Sequence, residues 1–367
     1  MGYPIPGMDY GNIIRIMLLW PFSLLYGLIM ELRADAYRRG WLKSRRAAVP
    51  VISIGNMVAG GTGKTPMAIY VAGLLMKNGR RAAILSRGYK RESGNGSKFL
   101  VVSDGTELKC GPEQAGDEPF MMARRLLGNK DQPGPLVIVG QNRALAAQKA
   151  VELGAQAIIL DDGFQHLRLK RDLDIVLLDC RRPFDNGWVL PAGMLREPLR
   201  AVARADVVIM TRRDEAMASN IIKPVSIPFH QEKGFKIFFT NHKITELLLW
   251  DKGTLKPESL DALSGKKLFL VAGIARPQSL VGNIERAGHI VSGSRIYPDH
   301  HRYRDSDRRI IRSEAEEADC IVTTEKDAAR FHNSWNFGRP LYVLRMEIEF
   351  AKEGDRFEEL IRGAAVK

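Results

Sequence analysis

The chain has 367 residues, 45% of them hydrophobic and 26% charged, a composition that excludes wholesale disorder and allows one large or two modest domains. The formal net charge of +13 indicates an anionic partner, and charge alone leaves open nucleic acid, a phosphorylated ligand or an acidic membrane surface. The cysteines Cys110, Cys180 and Cys320 lie far apart, which argues against a disulfide framework or a zinc site and favours a reducing cytosolic setting.

Residues 1–46 are predicted to form a membrane-associating helix with a basic flank. The apolar run over residues 13–30 is close to the ~20 residues that span a bilayer, but Arg15 and Pro21 interrupt it. Six basic residues against two acidic ones follow in residues 31–46, a charge balance that suits the anionic cytoplasmic leaflet. An interfacial helix, a transmembrane span and a helix packed inside the protein remain open, and in each case the rest of the chain stays cytoplasmic.

The remainder of the chain predicts an α/β fold. Short continuous apolar runs alternate with helical stretches, a pattern typical of a parallel sheet whose strands are buried on both faces. We expect a P-loop domain over residues 47–228 and a smaller α/β domain over residues 229–345, joined by an extended ribbon. A final helix is expected within residues 346–367.

The strongest motif is AGGTGKT at residues 59–65, between a predicted strand and a predicted helix. Glycines allow backbone N–H groups to surround phosphates, and the helix amino terminus adds its dipole. Lys64 would reach the β- and γ-phosphates, and the Thr65 hydroxyl would ligate Mg²⁺. The strict pattern has glycine one residue before this segment, where the chain has valine. The predicted nucleotide-binding residues are Val58, Ala59, Gly60, Gly61, Thr62, Gly63, Lys64 and Thr65.

A second apolar strand, AIILDD, ends in Asp161 and Asp162, as a Walker B strand does. Both carboxylates are candidates for positioning Mg²⁺ or water, although Asp161 alone is also compatible with a turn cap. No guanine-reading NKxD is found, because NKD at residues 129–131 has the wrong spacing and TRRD at residues 211–214 lacks the lysine. ATP is therefore preferred to GTP.

Candidates for proton transfer lie in two further segments. GDEP supplies Asp117 and Glu118, and PDHH supplies Asp299, His300 and His301 in the second predicted domain. A carboxylate and an imidazole that meet across a cleft can together accept a proton. Spacing alone leaves this pairing open, because single carboxylates are often caps or surface groups.

These segments together resemble the tetraacyldisaccharide 4′-kinase (lipid A 4′-kinase) family. The resemblance rests on SIGNMVAGGTGKTP, LSRGYKR, GDEP, LDDGFQHLRLKRDLDIVLLD, LPAGMLREPL, PDHHRY and VTTEKDAAR, which follow one another between about residues 49 and 330. DDGFQH together with LREP is more specific than the P-loop, and the family is relaxed at Val58. The resemblance implies that ATP phosphorylates tetraacyldisaccharide 1-phosphate to lipid IVA at the cytoplasmic face of the inner membrane.

The resemblance also implies roles for single residues. Asp117 would be the general base, supported by His300, with His301 as the less favoured alternative. Thr65, Glu118 and Asp162 would surround Mg²⁺. The implied substrate contacts are Arg87, Asp161, Gln165, His166 and Arg196.

Two other functions remain as alternatives. A P-loop regulatory or partitioning-type ATPase would hydrolyse ATP slowly without a phosphorylated acceptor, but Ala59 replaces the lysine of the partitioning signature. A nucleic-acid-dependent ATPase would need basic residues clustered with stacking aromatics, and no such module is recognisable. The expected partners are therefore the glycolipid and the cytoplasmic leaflet of the inner membrane, with neither a nucleic acid nor an obligate protein partner.

Overall fold

The structure is a computed structural model that describes residues 10–88, 99–218, 227 and 234–366. The domain boundary expected at residues 228–229 lies outside these residues, as do the start of the amino-terminal segment and part of the SRGYKR segment. Within the described residues, thirteen strands form one mixed, largely parallel sheet flanked by helices, which confirms the predicted fold class.

The strands take their bounds from apolar runs that end in polar or glycine-rich sequence. They are β1 Val51–Asn56, β2 Ala82–Ser86, β3 Leu100–Ser103, β4 Leu136–Val139, β5 Ala157–Asp161, β6 Leu173–Asp179, β7 Val207–Thr211, β8 Lys236–Asp251, β9 Thr254–Glu258, β10 Lys267–Ala272, β11 Ile290–Ile296, β12 Cys320–Thr324 and β13 Leu341–Phe350. Their order in the sheet is β11-β10-β12-β13-β8-β7-β6-β1-β5-β2-β4-β3, and β9 pairs with β8.

Helices flank the sheet. They are α1 Tyr10–Arg38, α2 Lys64–Lys77, α3 Pro112–Ala115, α4 Asp117–Arg125, α5 Arg143–Glu152, α6 Arg213–Ala218, α7 Pro277–Arg286, α8 Asp305–Glu314, α9 Glu325–Ala328 and α10 Gly354–Val366.

The ribbon expected between the two domains is the long strand β8. Residues 236–240 of β8 pair in parallel with β7, and residues 240–249 pair antiparallel with β13. The final helix expected within residues 346–367, from residue 353 to residue 364, runs from Gly354 to Val366, after β13 has ended at Phe350.

Helix α10 returns the carboxyl end of the chain to the P-loop half of the sheet. Phe357 is fully buried and lies 5.4 Å, ring centre to ring centre, from Phe238 of β8 and 4.8 Å from Phe350. These rings belong to the same hydrophobic core as α2. The final helix therefore secures the helix that follows the P-loop.

Helix α1 is long and apolar enough to cross a membrane, and Pro21 is accommodated within it. Its apolar side chains are largely outside the core: Leu18 is 69% exposed and Leu25 is 57% exposed. Polar side chains hold the opposite face: the Ser23 hydroxyl donates to the Val189 carbonyl at 2.9 Å, the Tyr26 hydroxyl to the Arg196 carbonyl at 3.0 Å and Arg33 to the Gln165 carbonyl at 3.1 Å. This exposure excludes the packed internal helix that the sequence left open.

We expect Phe357→Ala to lower the free energy of unfolding by about 3–5 kcal/mol, because it opens a cavity among packed rings. Phe239→Ala is the matched control, since Phe239 is 42% exposed on β8, and its effect should be below about 1 kcal/mol. Urea denaturation measures both. Equal losses in the two variants would contradict the role assigned to α10.

Candidate active site

The P-loop connects β1 to α2 and is organised by a buried asparagine. The Nδ2 of Asn56 donates to the Val58 carbonyl at 2.6 Å, to the Gly60 carbonyl at 3.2 Å and to the Thr62 hydroxyl at 3.0 Å. Sequence reasoning missed this residue, although it ends the strand immediately before the glycine-rich segment. At the end of the loop, Gly63 adopts φ 91°, a left-handed conformation that favours glycine.

The first two residues predicted to bind nucleotide lie outside the cleft. Val58 forms a bridge with Leu195, and the Ala59 N–H donates to the Met194 carbonyl at 2.8 Å. This pairing attaches the P-loop to the LREP segment. The remaining loop residues line the cleft: Gly60, Gly61, Thr62, Gly63, Lys64 and Thr65.

A cleft of about 1250 Å³ opens at the carboxyl ends of the parallel strands, between the P-loop half of the sheet and the second α/β unit. Ligands of open α/β sheets bind in this position. The cleft brings together the other side chains that the sequence singled out, namely Arg87, Asp117, Glu118, Asp161, Asp162, Gln165, His166, Arg196 and His300.

Asp162 lies between two cations at the base of the cleft. Arg196 donates from Nη1 to both carboxylate oxygens, at 2.7 and 2.8 Å, and the Lys64 ammonium lies 3.6 Å from Oδ1. Burial acts to raise the pKa of Asp162, but the charges of Lys64 and Arg196 outweigh it and hold the pKa below its usual value. Asp162 is thus ionised, and Arg196 contacts it directly.

Asp161 has a different environment, although it is the adjacent residue. It is 3% exposed, and within the described residues the only hydrogen bond to its carboxylate is from the Ser86 hydroxyl to Oδ2 at 3.3 Å, which leaves Oδ1 unpaired. Burial, followed by the charges of Glu118 and Asp162, raises the pKa of Asp161 to about 7.

A buried carboxylate oxygen without a partner fits a divalent cation or a water bound to one. Among the described residues no cluster of three or more His, Cys, Asp or Glu side chains has metal-site geometry. Mg²⁺ does not need such a cluster, because it is commonly held by one or two carboxylates, substrate phosphates and water. Thr65, Glu118, Asp161 and Asp162 line one cleft and fit that requirement.

The carboxylate and imidazole that the sequence left unpaired meet across this cleft. The Nδ1 of His300 lies 3.4 Å from Oδ2 of Asp117, and Arg330 donates from Nε to the same oxygen at 2.8 Å. Burial acts to raise the pKa of Asp117, but the hydrogen bond from His300 and the charge of Arg330 lower it below its usual value. Asp117 is therefore in the form that accepts a proton at neutral pH.

His301 faces elsewhere. Its ring stacks on Tyr297 with 4.4 Å between centres, and its Nε2 lies 3.1 Å from Oδ2 of Asp307. Of the two adjacent histidines, it is therefore His300 that contacts Asp117.

Three remaining candidates also line the cleft, and each has a different environment: Arg87, Gln165 and His166. Arg87 is exposed, as a residue that contacts a bound anion would be. Gln165 donates to the Asn56 carbonyl at 3.0 Å and so supports the end of β1. Burial, followed by the charges of Arg143 and other arginines, lowers the pKa of His166 to about 4, so this imidazole is neutral.

The second unit adds cations that sequence reasoning did not assign. Besides Arg330, Lys326 of α9 lies 3.1 Å from Oε1 of Glu118 and 3.1 Å from Oδ1 of Asp299. Both cations belong to VTTEKDAAR, which contributed to the resemblance without a role. The signal that the sequence offered was two basic residues within that segment.

A P-loop, a strand ending in two aspartates and a carboxylate–imidazole pair in one cleft define a P-loop phosphotransferase. The family model for tetraacyldisaccharide-1-P 4′-kinase (LpxK) matches residues 15–365. The chain belongs to this family, which confirms the resemblance seen in the sequence.

Individual relatives agree with this assignment. The chain is 39% identical to the tetraacyldisaccharide 4′-kinase of Desulfatibacillum aliphaticivorans over 96% of its own length and 92% of the relative. It is 40% identical to that of Anaeromyxobacter dehalogenans (strain 2CP-1 / ATCC BAA-258) over 91% of its own length and 86% of the relative. The crystal structure of LpxK from Aquifex aeolicus in complex with ATP aligns with a TM-score of 0.76 at 31% identity, covering 95% of this chain and 99% of that one.

We expect Gly63→Ala to weaken ATP binding about fivefold or more, because positive φ costs a non-glycine residue roughly 1–2 kcal/mol. The added Cβ would also lie 2.8 Å from Nε2 of His242. Gly61→Ala is the matched comparison, since its Cβ would meet only the Ala275 side chain at an ordinary 3.5 Å, and its loss should be smaller. Titration with a fluorescent ATP analogue measures both, and a greater loss for Gly61→Ala would refute this account of the loop.

Proposed function

We propose that this chain transfers the γ-phosphate of ATP to the 4′-hydroxyl of tetraacyldisaccharide 1-phosphate and so forms lipid IVA. The observation that carries the proposal is the Asp117–His300 pair, which faces the P-loop across one cleft in a member of this kinase family. The relatives are named for this activity, and the Aquifex structure holds ATP.

The P-loop side of the cleft would bind and orient the triphosphate. Backbone N–H groups of the loop and the amino terminus of α2 suit the phosphates, and Lys64 lies where an ammonium neutralises charge on the β- and γ-phosphates. Thr65, Glu118, Asp161 and Asp162 would hold Mg²⁺, which would supply charge neutralisation to the phosphates. Arg196 would keep Asp162 oriented through its two hydrogen bonds.

Asp117 would act as the general base. As the 4′-oxygen forms its bond to the γ-phosphorus, its proton passes to the Asp117 carboxylate, and the bond from γ-phosphorus to the β,γ-bridging oxygen breaks to release ADP. His300 and Arg330 orient the carboxylate through their contacts with Oδ2. The 3.4 Å contact with His300 is long, as such contacts often are before substrates bind.

Helix α1 would bring the cleft to the lipid at the cytoplasmic face of the inner membrane. Its apolar side chains are exposed, and Trp41, 72% exposed, lies in the basic segment that follows. Tyr26, Met30 and Arg33 of the same helix line the cleft. One helix thus joins a membrane-facing apolar surface to the site of phosphate transfer, which supports a lipid acceptor.

Purified protein should transfer ³²P from [γ-³²P]ATP to tetraacyldisaccharide 1-phosphate in detergent micelles. We expect Lys64→Ala and Asp117→Asn each to lower transfer by about 10²-fold or more, since each removes a group that acts on the reacting phosphate or hydroxyl. Lys243→Ala is the control for Lys64→Ala, because Lys243 forms an exposed ion pair with Glu349 at 3.1 Å. ATP hydrolysis without labelled lipid would instead favour a P-loop regulatory ATPase.

The double variant Leu18→Asp, Leu25→Asp should bind anionic phospholipid vesicles at least about tenfold more weakly, because burying one leucine side chain contributes roughly 1.5–3 kcal/mol. Ile290→Asp is the control, since Ile290 is 72% exposed on the edge strand β11. Co-sedimentation with vesicles measures the binding. If the double variant bound as well as the parent protein, α1 would not be the membrane anchor.

A further inference from the structure

Lys326 lies where three acceptors converge. Its Nζ is 3.1 Å from Oε1 of Glu118, 3.1 Å from Oδ1 of Asp299 and 3.3 Å from Nε2 of His300. An ammonium group has three N–H donors and no acceptor. With each donor directed to one of these atoms, the hydrogen-bonding capacity of Lys326 is fully used.

This arrangement determines which nitrogen of His300 carries the proton. Because the ammonium can only donate, a hydrogen bond between Lys326 and Nε2 of His300 requires Nε2 to accept, and the imidazole proton then lies on Nδ1. Nδ1 then donates to Oδ2 of Asp117 across 3.4 Å. The other tautomer would turn an N–H toward the ammonium, and Oδ2 of Asp299 lies 3.7 Å from Nε2, beyond hydrogen-bond distance.

Arg330, two residues beyond the end of α9, also contacts Asp117. Arg330 is held by the Gly273 carbonyl and by Oδ1 of Asp327, both at 3.3 Å, and its Nε donates to Oδ2 of Asp117. In the part of the chain that the structure describes, both donors to Asp117 therefore reach Oδ2. The other oxygen, Oδ1, is left to accept a proton.

We propose that Lys326 is a positioning residue that holds His300 in its Nδ1–H tautomer, so that His300 orients the Asp117 carboxylate for the acceptor hydroxyl. The inference rests on the proposed function, because it takes Asp117 as the base. Lys326 acts through His300 and need not touch the transferred phosphate.

If the Lys326 contacts only held the two halves of the molecule together, another ion pair between the same halves would have the same effect on activity when removed. Arg125 of α4 pairs with Glu347 of β13 at 2.7 Å, and Glu347 does not line the cleft. Glu347→Gln weakens contact between the same two units without touching His300 or Asp117. It is the matched control for loss of the Lys326 contacts.

The first test measures turnover. We expect Lys326→Met to lower kcat about tenfold or more with KM for ATP changed less than about twofold, since oriented proton transfer contributes roughly 10²–10⁴-fold. Lys326→Arg, which keeps a charged donor, should recover much of the loss, and Glu347→Gln should stay within about twofold of the parent. If Glu347→Gln and Lys326→Met lowered kcat equally, the contact would serve docking and the proposal would fail.

A double-mutant cycle tests whether Lys326 acts through His300. In a His300→Ala background, Lys326→Met should lower kcat by less than about a further twofold, because the imidazole that Lys326 positions is absent. Full additivity of the two losses would overturn the proposal. Thermal melts of each variant separate unfolding from loss of positioning, and Lys326→Arg preserves the test if Lys326→Met does not fold.

The second readout is the tautomer itself, observed by ¹⁵N-histidine NMR of the full chain without substrates. His300, identified by loss of its signals in His300→Ala, should show a protonated Nδ1 in the parent protein and in Lys326→Arg, and a changed pattern in Lys326→Met. An unchanged pattern in Lys326→Met would refute the proposal. Turnover of Asp117→Asn tests the assignment of the base, which would fail if this variant stayed active. The tautomer of His300 tests the role of Lys326 separately.

Discussion

Strand β8 pairs with β7 along its first residues and with β13 along the rest, so a single backbone ladder runs from the P-loop half of the sheet into the half that carries His300. Because β13 runs antiparallel to β8 and pairs with its later residues, the parallel strands of the second half point their carboxyl ends toward those of the P-loop half, and both sets of ends border the cleft. The placement of Asp117 opposite His300 depends on that continuity. After β13, α10 returns to the P-loop half and packs in the same hydrophobic core as α2, so the two halves are connected a second time through the end of the chain.

The cleft collects carboxylates, and a charged partner accompanies most of them. Asp162 has Arg196, Glu118 has Lys326 and Asp117 has Arg330. Partly buried charges are costly unless they are paired, so these cations stabilise the carboxylates before any ligand arrives. Asp161 differs, since its Oδ1 has no partner among the described residues and its pKa is raised. That contrast favours Asp161 as a site where a divalent cation would supply the missing charge.

Basic residues of this positively charged chain are found in two places, around the cleft and in the segment after α1. Around the cleft, arginine and lysine side chains pair with carboxylates, as Arg196 does with Asp162 and Lys326 with Glu118. Beyond α1, the basic residues lie next to an exposed apolar helix, where an anionic membrane surface suits both features. The same helix lines the cleft, so the proposed membrane attachment and the proposed access of the acceptor would depend on one element.

The sequence by itself determined the parallel α/β fold, the P-loop with Lys64 and Thr65, the paired aspartates and, through the resemblance, the family. These features are local, because the strand, the glycine loop and the helix start follow one another along the chain. A continuous apolar run also indicates by itself that a strand is buried on both faces. The resemblance favoured His300 over His301 as the partner of Asp117, and the tertiary structure brings His300 and Asp117 into contact. Only the tertiary structure decided that Lys326 and Arg330 join them and that the expected ribbon is a strand of the sheet. Those contacts join residues as far as 183 and 213 positions apart, a proximity that periodicity and spacing cannot encode because chain folding alone creates it.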